Sequence, residues 1–134
     1  MRRALGVLAG IVGAMVTITL VEMIGHLLFP PPPGADMRDS AQVAQVMAMI
    51  PLPAKIWVTL AWFFGSLAGA LAGLAVARWV AIAWIVAAVV IAGAILSYTM
   101  IPHPLWMQAA GVLLPLIAAW IALRLRLPAT NRST

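Results

Sequence analysis

The residues of this chain best able to do chemistry gather in one short run. VEMIGHLLFPPPPGAD, residues 21–36, sets Glu22 four residues before His26 and ends in four prolines and a turn. A carboxylate and an imidazole one helical turn apart can bond to each other, pass a proton or share an ion. His103, in IPHPLW, supplies a second imidazole, and Tyr98 and Gln108 on either side of it add a hydroxyl and an amide. Counted back from the prolines at helical rise, Glu22 lies about 10 Å and His26 about 4–5 Å below Phe29. Ser97, Tyr98 and Thr99 precede Pro102 by a similar distance, Gln108 follows Pro104 by one turn, and Trp57, Thr59 and Trp62 fall at the same level. The sequence therefore predicts one polar pocket built from Glu22, His26, Tyr98, His103 and Gln108.

Three chemistries fit such a set. Buried polar groups need partners, so the five side chains can satisfy one another as a structural network between helices. Two histidines and a carboxylate can hold zinc or non-haem iron, which makes Glu22, His26 and His103 a candidate site for a divalent metal. A Glu–His pair near one membrane face can also relay protons. A through-going route needs acceptors along its whole length, and the half of the chain away from the pocket is nearly all Ala, Val, Leu and Gly. That composition argues against a simple channel.

The elements that must position these residues are set by composition. Hydrophobic residues make up 65% of the 134 and charged residues only 8%. A soluble domain is nearer a quarter charged and could not cover so much apolar surface at this size, so lipid is the expected solvent. A span needs about 20 apolar residues. The chain holds four such stretches, at about 4–29, 54–77, 80–101 and 105–123, and the expected fold is an all-α, integral membrane four-helix bundle in a single domain, 1–134. Prolines 30–33 end the first span. Residues 56–101 carry one charge, Arg78, and as a single helix would measure about 69 Å, over twice the bilayer core; the turn belongs at Arg78. The first apolar run is longer than a signal peptide's core of about 7–15 residues and reads as a retained span. Between spans one and two, Asp39 and Gln42 have the form of a capping box. Val43, Val46, Met47 and Ile50 then recur at helical spacing, which predicts a short interfacial helix at about 39–50. The stiff proline segment before it would let that helix fold over the pocket as a lid.

On a wheel at about 100° per residue, Glu22, His26, Thr19 and Met15 share a face, with Gly6, Gly10 and Gly13 on the other side. Because charge facing hydrocarbon is costly, the polar face is expected to point inward. Gly65, Gly69 and Gly73 repeat every four residues, and Gly6 and Gly10 echo them. Such small residues let helices approach closely in lipid. Packing within the chain is their expected use, ahead of a homo-oligomer seam. Pro115 breaks the backbone ladder to Gly111 and predicts a kink. Trp57, Trp62 and Trp106 are expected in one aromatic belt, and Trp79 and Trp120 in the other.

Arg2, Arg3, Arg78, Arg124, Arg126 and Arg132 would share one side of the membrane, against Arg38 and Lys55 on the other. By the positive-inside rule both termini are then cytoplasmic and the polar pocket faces out. The net charge of +5 is spread over helix ends rather than gathered into a nucleic-acid-binding stripe. Nucleic acid is not an expected partner. The absence of cysteine removes disulfides, thiolate metal sites and thiol catalysis. No nucleotide-binding loop, activated serine or paired carboxylate is present, and no enzyme is predicted.

VEMIGHLLFPPPPGAD, then PLPAKIWVTLAWFFGSLAGALAG, then HPLWM resemble a group of small, four-span bacterial inner-membrane proteins of uncharacterised function. The likeness covers most of the chain and rests chiefly on the Glu-x3-His of the first span followed by prolines. Lys55 departs from the small residue expected at that point. The resemblance implies the topology and a bacterial inner membrane, and it implies no activity. The expected function is a small membrane-embedded binding or transport-type protein, or a component of a larger complex, using the polar pocket. The alternative is a structural or assembly subunit without ligand, and the third reading is a metal-dependent membrane enzyme.

Overall fold

A computed structural model describes residues 1–30, 33–34 and 39–126. Among the described residues five helices form: α1 (Arg2–Leu28), α2 (Ser40–Met49), α3 (Leu52–Ala77), α4 (Ala81–Met100) and α5 (Leu105–Arg126). There is no strand among the described residues. Four of the helices, α1, α3, α4 and α5, are long and apolar enough to cross a membrane. Their ends fall within three residues of the sequence expectation. Helix α3 begins two residues early because Pro53 stands in its first turn, where a missing N–H costs nothing. Helix α5 runs on to Arg126 because its last turn carries Arg124 and Arg126, cations that suit a helix C-terminus. Asp36, Arg38 and Arg132, most of the 30–38 segment and the lid geometry expected of it lie outside the described residues.

Helix α3 is central. It packs on α1, α4 and α5, while α4 also meets both α1 and α5. Helices α1 and α3 run antiparallel. A methyl group added to Gly6 would meet Ala77 near the end of α3, and one added to Gly65 would meet Ile18 in the second half of α1. Helices α4 and α5 are also antiparallel, since Tyr98 near the end of α4 bonds to carbonyls of Met107 and Gln108 at the start of α5. The start of α1, the α3–α4 turn and the end of α5 therefore share one end of the molecule, here the arginine end. Phe29, the start of α3 and the α4–α5 turn share the other, the histidine end.

The α1–α3 seam is made of backbone. Gly6, Gly10 and Ala14 are the buried residues of α1. They face Gly65, Gly69 and Gly73, all buried in α3. A Cβ on Gly69 would stand 2.5 Å from the Gly10 carbonyl oxygen and 2.7 Å from the Ala14 Cβ; one on Gly73 would stand 2.7 Å from the Gly6 oxygen. With no hydrophobic drive between helices in lipid, such close approach is what dispersion can use. The glycine repeat is thus taken up within the chain.

That seam overturns one expectation. Thr19, Met15 and His26 are exposed and only Glu22 is half-buried, so the polar face of α1 does not point into the core. Packing turns the glycine face inward, because only there can two backbones touch, and the opposite face goes outward with it. Thr19 meets its own need by donating from Oγ1 to the Met15 carbonyl one turn back, at 2.8 Å.

The α3–α4 turn is closed by Arg78 in the left-handed region, φ 35° and ψ 37°. Its N–H reaches the Leu74 carbonyl at 2.9 Å. A side chain at such a φ costs about 1–2 kcal/mol relative to glycine. Arg78→Gly is therefore expected to unfold later than Arg78→Ala, by about 1 kcal/mol, in thermal or SDS titration of the detergent-solubilised protein. Equal stabilities would remove the left-handed turn. In α2, Asp39 caps the helix by accepting the Ala41 N–H at 3.0 Å. Val43 and Val46 are buried, while Gln42 and Gln45 are exposed, as the spacing predicts.

Candidate functional site

The polar residues of the histidine end form two sets. The first joins the α4–α5 turn to α3. The Tyr98 hydroxyl donates to two carbonyls in the first turns of α5, Met107 at 3.2 Å and Gln108 at 3.1 Å. The Gln108 amide donates back to the His103 carbonyl at 3.0 Å. The His103 ring lies edge-on to Tyr98, centroids 5.0 Å apart. Its Nδ1 stands 2.7 Å from the Ile101 carbonyl. A carbonyl only accepts, so Nδ1 carries the proton, and in the neutral ring the lone pair is on Nε2. Trp62 completes the set, with ring centroids 6.1 Å from Tyr98 and 6.2 Å from His103.

This arrangement depends on Gly111. A Cβ there would collide with the Tyr98 hydroxyl and stand 3.0 Å from a Trp62 ring carbon. Both rings thus occupy space that the glycine leaves empty. Trp62 is only 7% exposed and belongs to the core rather than to an aromatic belt. Its indole gains more by filling the gap over Gly111 than by lying at a membrane surface. Trp57 is also engaged, with its Nε1 donating to the Val21 carbonyl of α1 at 2.6 Å and its ring against Gly25. Of the three tryptophans expected in that belt, Trp106 is the exposed one.

The second set is Glu22 with His26, on the flank of α1. Glu22 is half-buried and His26 exposed. His26 is the electrostatic neighbour of the Glu22 carboxylate. No hydrogen bond or close ion pair ties that carboxylate to any described residue. Hence Tyr98, His103 and Gln108 come together, Glu22 and His26 come together, and no described hydrogen bond, ion pair or ring contact links the two sets. Among the described residues no three of the types His, Asp, Glu and Cys gather closely enough to hold a metal ion. Glu22, His26 and His103 do not converge as the donor set outlined from the sequence.

One buried polar group escaped the sequence reading. Ser66 is 1% exposed, and its Oγ has no hydrogen-bond partner among the described residues. In GSLAGALAG it passes for one more small packing residue. Its position on the inward face was visible only as i+4 from Trp62, a weak signal while Trp62 itself was assigned to the surface.

Fold and site together define the class: an all-helical, multi-pass membrane protein with four helices fit to span, one short helix between the first two, and a single acidic side chain within those four. Compared with protein-family models, curated proteins and solved structures, the chain matches none.

Proposed function

We propose that this chain is a non-catalytic binding component of a bacterial inner membrane, whose Glu22–His26 edge receives a cationic group from a ligand or a partner subunit. The bundle lies with both termini and the Arg78 turn in the cytoplasm and α2 on the outer surface. The arginines at one end support that orientation, and the amphipathic pattern of α2, with Val43 and Val46 buried on the bundle and Gln42 and Gln45 exposed, supports its place on the outer surface. The resemblance to small four-span inner-membrane proteins agrees with that topology.

The observation that carries the reading is the Glu22 carboxylate. It sits inside a membrane-length helix, half-buried, with no hydrogen-bond partner in the described chain. Intramembrane ionisable groups are costly and are normally paired. A carboxylate left open at a helix flank is therefore suited to a partner from outside the chain. Tyr98, His103 and Gln108, each already bonded to backbone, serve as scaffold for the turn. That self-sufficiency favours a structural role for them and narrows the binding site to α1.

A photoreactive residue at Leu27, exposed next to His26, tests this in native membranes. A discrete crosslinked adduct is expected with Glu22 present. With Glu22→Gln, compared at matched accumulation and melting, the adduct is expected to fall at least about tenfold, the loss of one charge-assisted contact. An adduct indifferent to the substitution, or no adduct at all, would sink the proposal.

A further inference from the structure

We infer that the arginine end of the molecule holds the phosphate of an anionic phospholipid headgroup, at a site independent of Glu22. Separate stretches of chain bring cations there: Arg2 and Arg3 at the start of α1, Arg78 in the α3–α4 turn, and Arg124 and Arg126 in the last turn of α5. The described acidic side chains, Glu22 and Asp39, belong to the opposite end. Glu22 is 19 residues from Arg3 along α1, about 28 Å at helical rise, well beyond the screening length of physiological salt.

The geometry at Trp79 is the centre of the site. The Arg3 guanidinium lies over the Trp79 ring, 5.0 Å from its centroid. Arg78 is the chain neighbour of that ring and is exposed. One guanidinium from α1 thus stacks on the indole, and a second arginine adjoins that indole in sequence from the α3–α4 turn. Stacking uses the face of a guanidinium and leaves its edge N–H groups to bond an anion, for which a phosphate is the matching shape. A second stack, Arg124 over Trp120 at 4.8 Å, lies on α5. Tryptophan favours the level where headgroups meet acyl chains, so the stacked guanidinium is at phosphate height.

The site's place on a membrane-spanning bundle commits it to lipid rather than free phosphate. Val80, the residue after Trp79, is exposed. It offers an acyl chain an apolar surface that inorganic phosphate could not use. Arg78 adds a further point. Its left-handed backbone favours glycine, yet the position carries a cation, and a bound anion gives that charge a role.

The full-length chain in phosphatidylcholine nanodiscs doped with phosphatidylglycerol tests the inference. Native mass spectrometry is expected to find phosphatidylglycerol retained over phosphatidylcholine by at least about tenfold, as expected for two or more surface arginines. Heat unfolding should shift upward with phosphatidylglycerol content. Arg3→Gln combined with Arg78→Gln should level the two lipids, while Lys55→Gln and Glu22→Gln should each keep the preference. In the parent chain the preference must also shrink at high salt, a readout that survives if the double variant does not fold. Equal retention of the two lipids, a preference untouched by salt, or an equal stabilisation by inorganic phosphate would each overturn the site. A Glu22 edge that fails its own crosslinking test leaves this result unaffected.

Discussion

Gly69→Ala is expected to lower stability by about 3 kcal/mol, the upper range for overpacking a tight core. The added methyl would stand 2.5 Å from the Gly10 carbonyl oxygen and 3.0 Å from the Ala14 backbone nitrogen. Neither atom can rotate away, because both belong to the backbone of α1. The helices must separate along the seam, and every close contact from Gly6 to Ile18 weakens with them. Gly93→Ala is the matched control. Nothing lies within 4 Å of a Cβ at that position, and alanine is the better helix former, so that variant should melt at or slightly above the parent. Reversible SDS titration of the two variants in mild detergent decides the matter. If Gly69→Ala and Gly93→Ala unfold together, α1 and α3 do not meet where the structure joins them.

The second large effect is at Gly111, and it has a distinctive signature. Gly111→Ala alone drives a methyl into the Tyr98 hydroxyl and should cost about 2–3 kcal/mol. Tyr98→Phe alone forfeits one hydroxyl shared between the Met107 and Gln108 carbonyls and should cost about 1 kcal/mol. Together the two changes should cost less than their sum, by at least about 1 kcal/mol. Removing the hydroxyl takes away the atom the methyl strikes, and the next ring atom, Tyr98 Cζ, stands 3.1 Å away. The Trp62 ring carbon at 3.0 Å keeps the rescue partial. Strictly additive costs would mean that Tyr98 does not lie over Gly111.

These predictions bear on function through position. The Gly69 seam determines which flank of α1 is open, and hence where Glu22 stands. The Gly111 gap determines that Tyr98, His103 and Gln108 are spent on the α4–α5 turn. Gly69→Ala, at the α1–α3 seam, would change the environment of the Glu22 edge, whereas Gly111→Ala, against Tyr98 and Trp62, would leave it, and the pair makes a contrast for the crosslinking experiment.

What the sequence by itself determined is the one-dimensional part of this protein. Four apolar runs, the prolines at 30–33, 51, 53, 102 and 104, and the single charge at Arg78 placed the helix ends within three residues. They could do so because the demand of lipid on a helix is local: enough apolar residues in a row, and every backbone group bonded within the segment. The glycine repeats likewise announced a close seam before their partner was known. Only the tertiary structure decided which face each helix turns inward. A helical wheel assigned Glu22, His26 and Thr19 to the interior by polarity, and Trp62 to a belt by residue type. Packing overruled both, because the face that permits closest approach is chosen by the shape of the neighbour: Gly69 opposite Gly10, and Gly111 beneath Tyr98 and Trp62. Shape complementarity between residues 13, 49 or 59 positions apart, on different helices, leaves no mark on the spacing within either helix, and that is why it had to be seen.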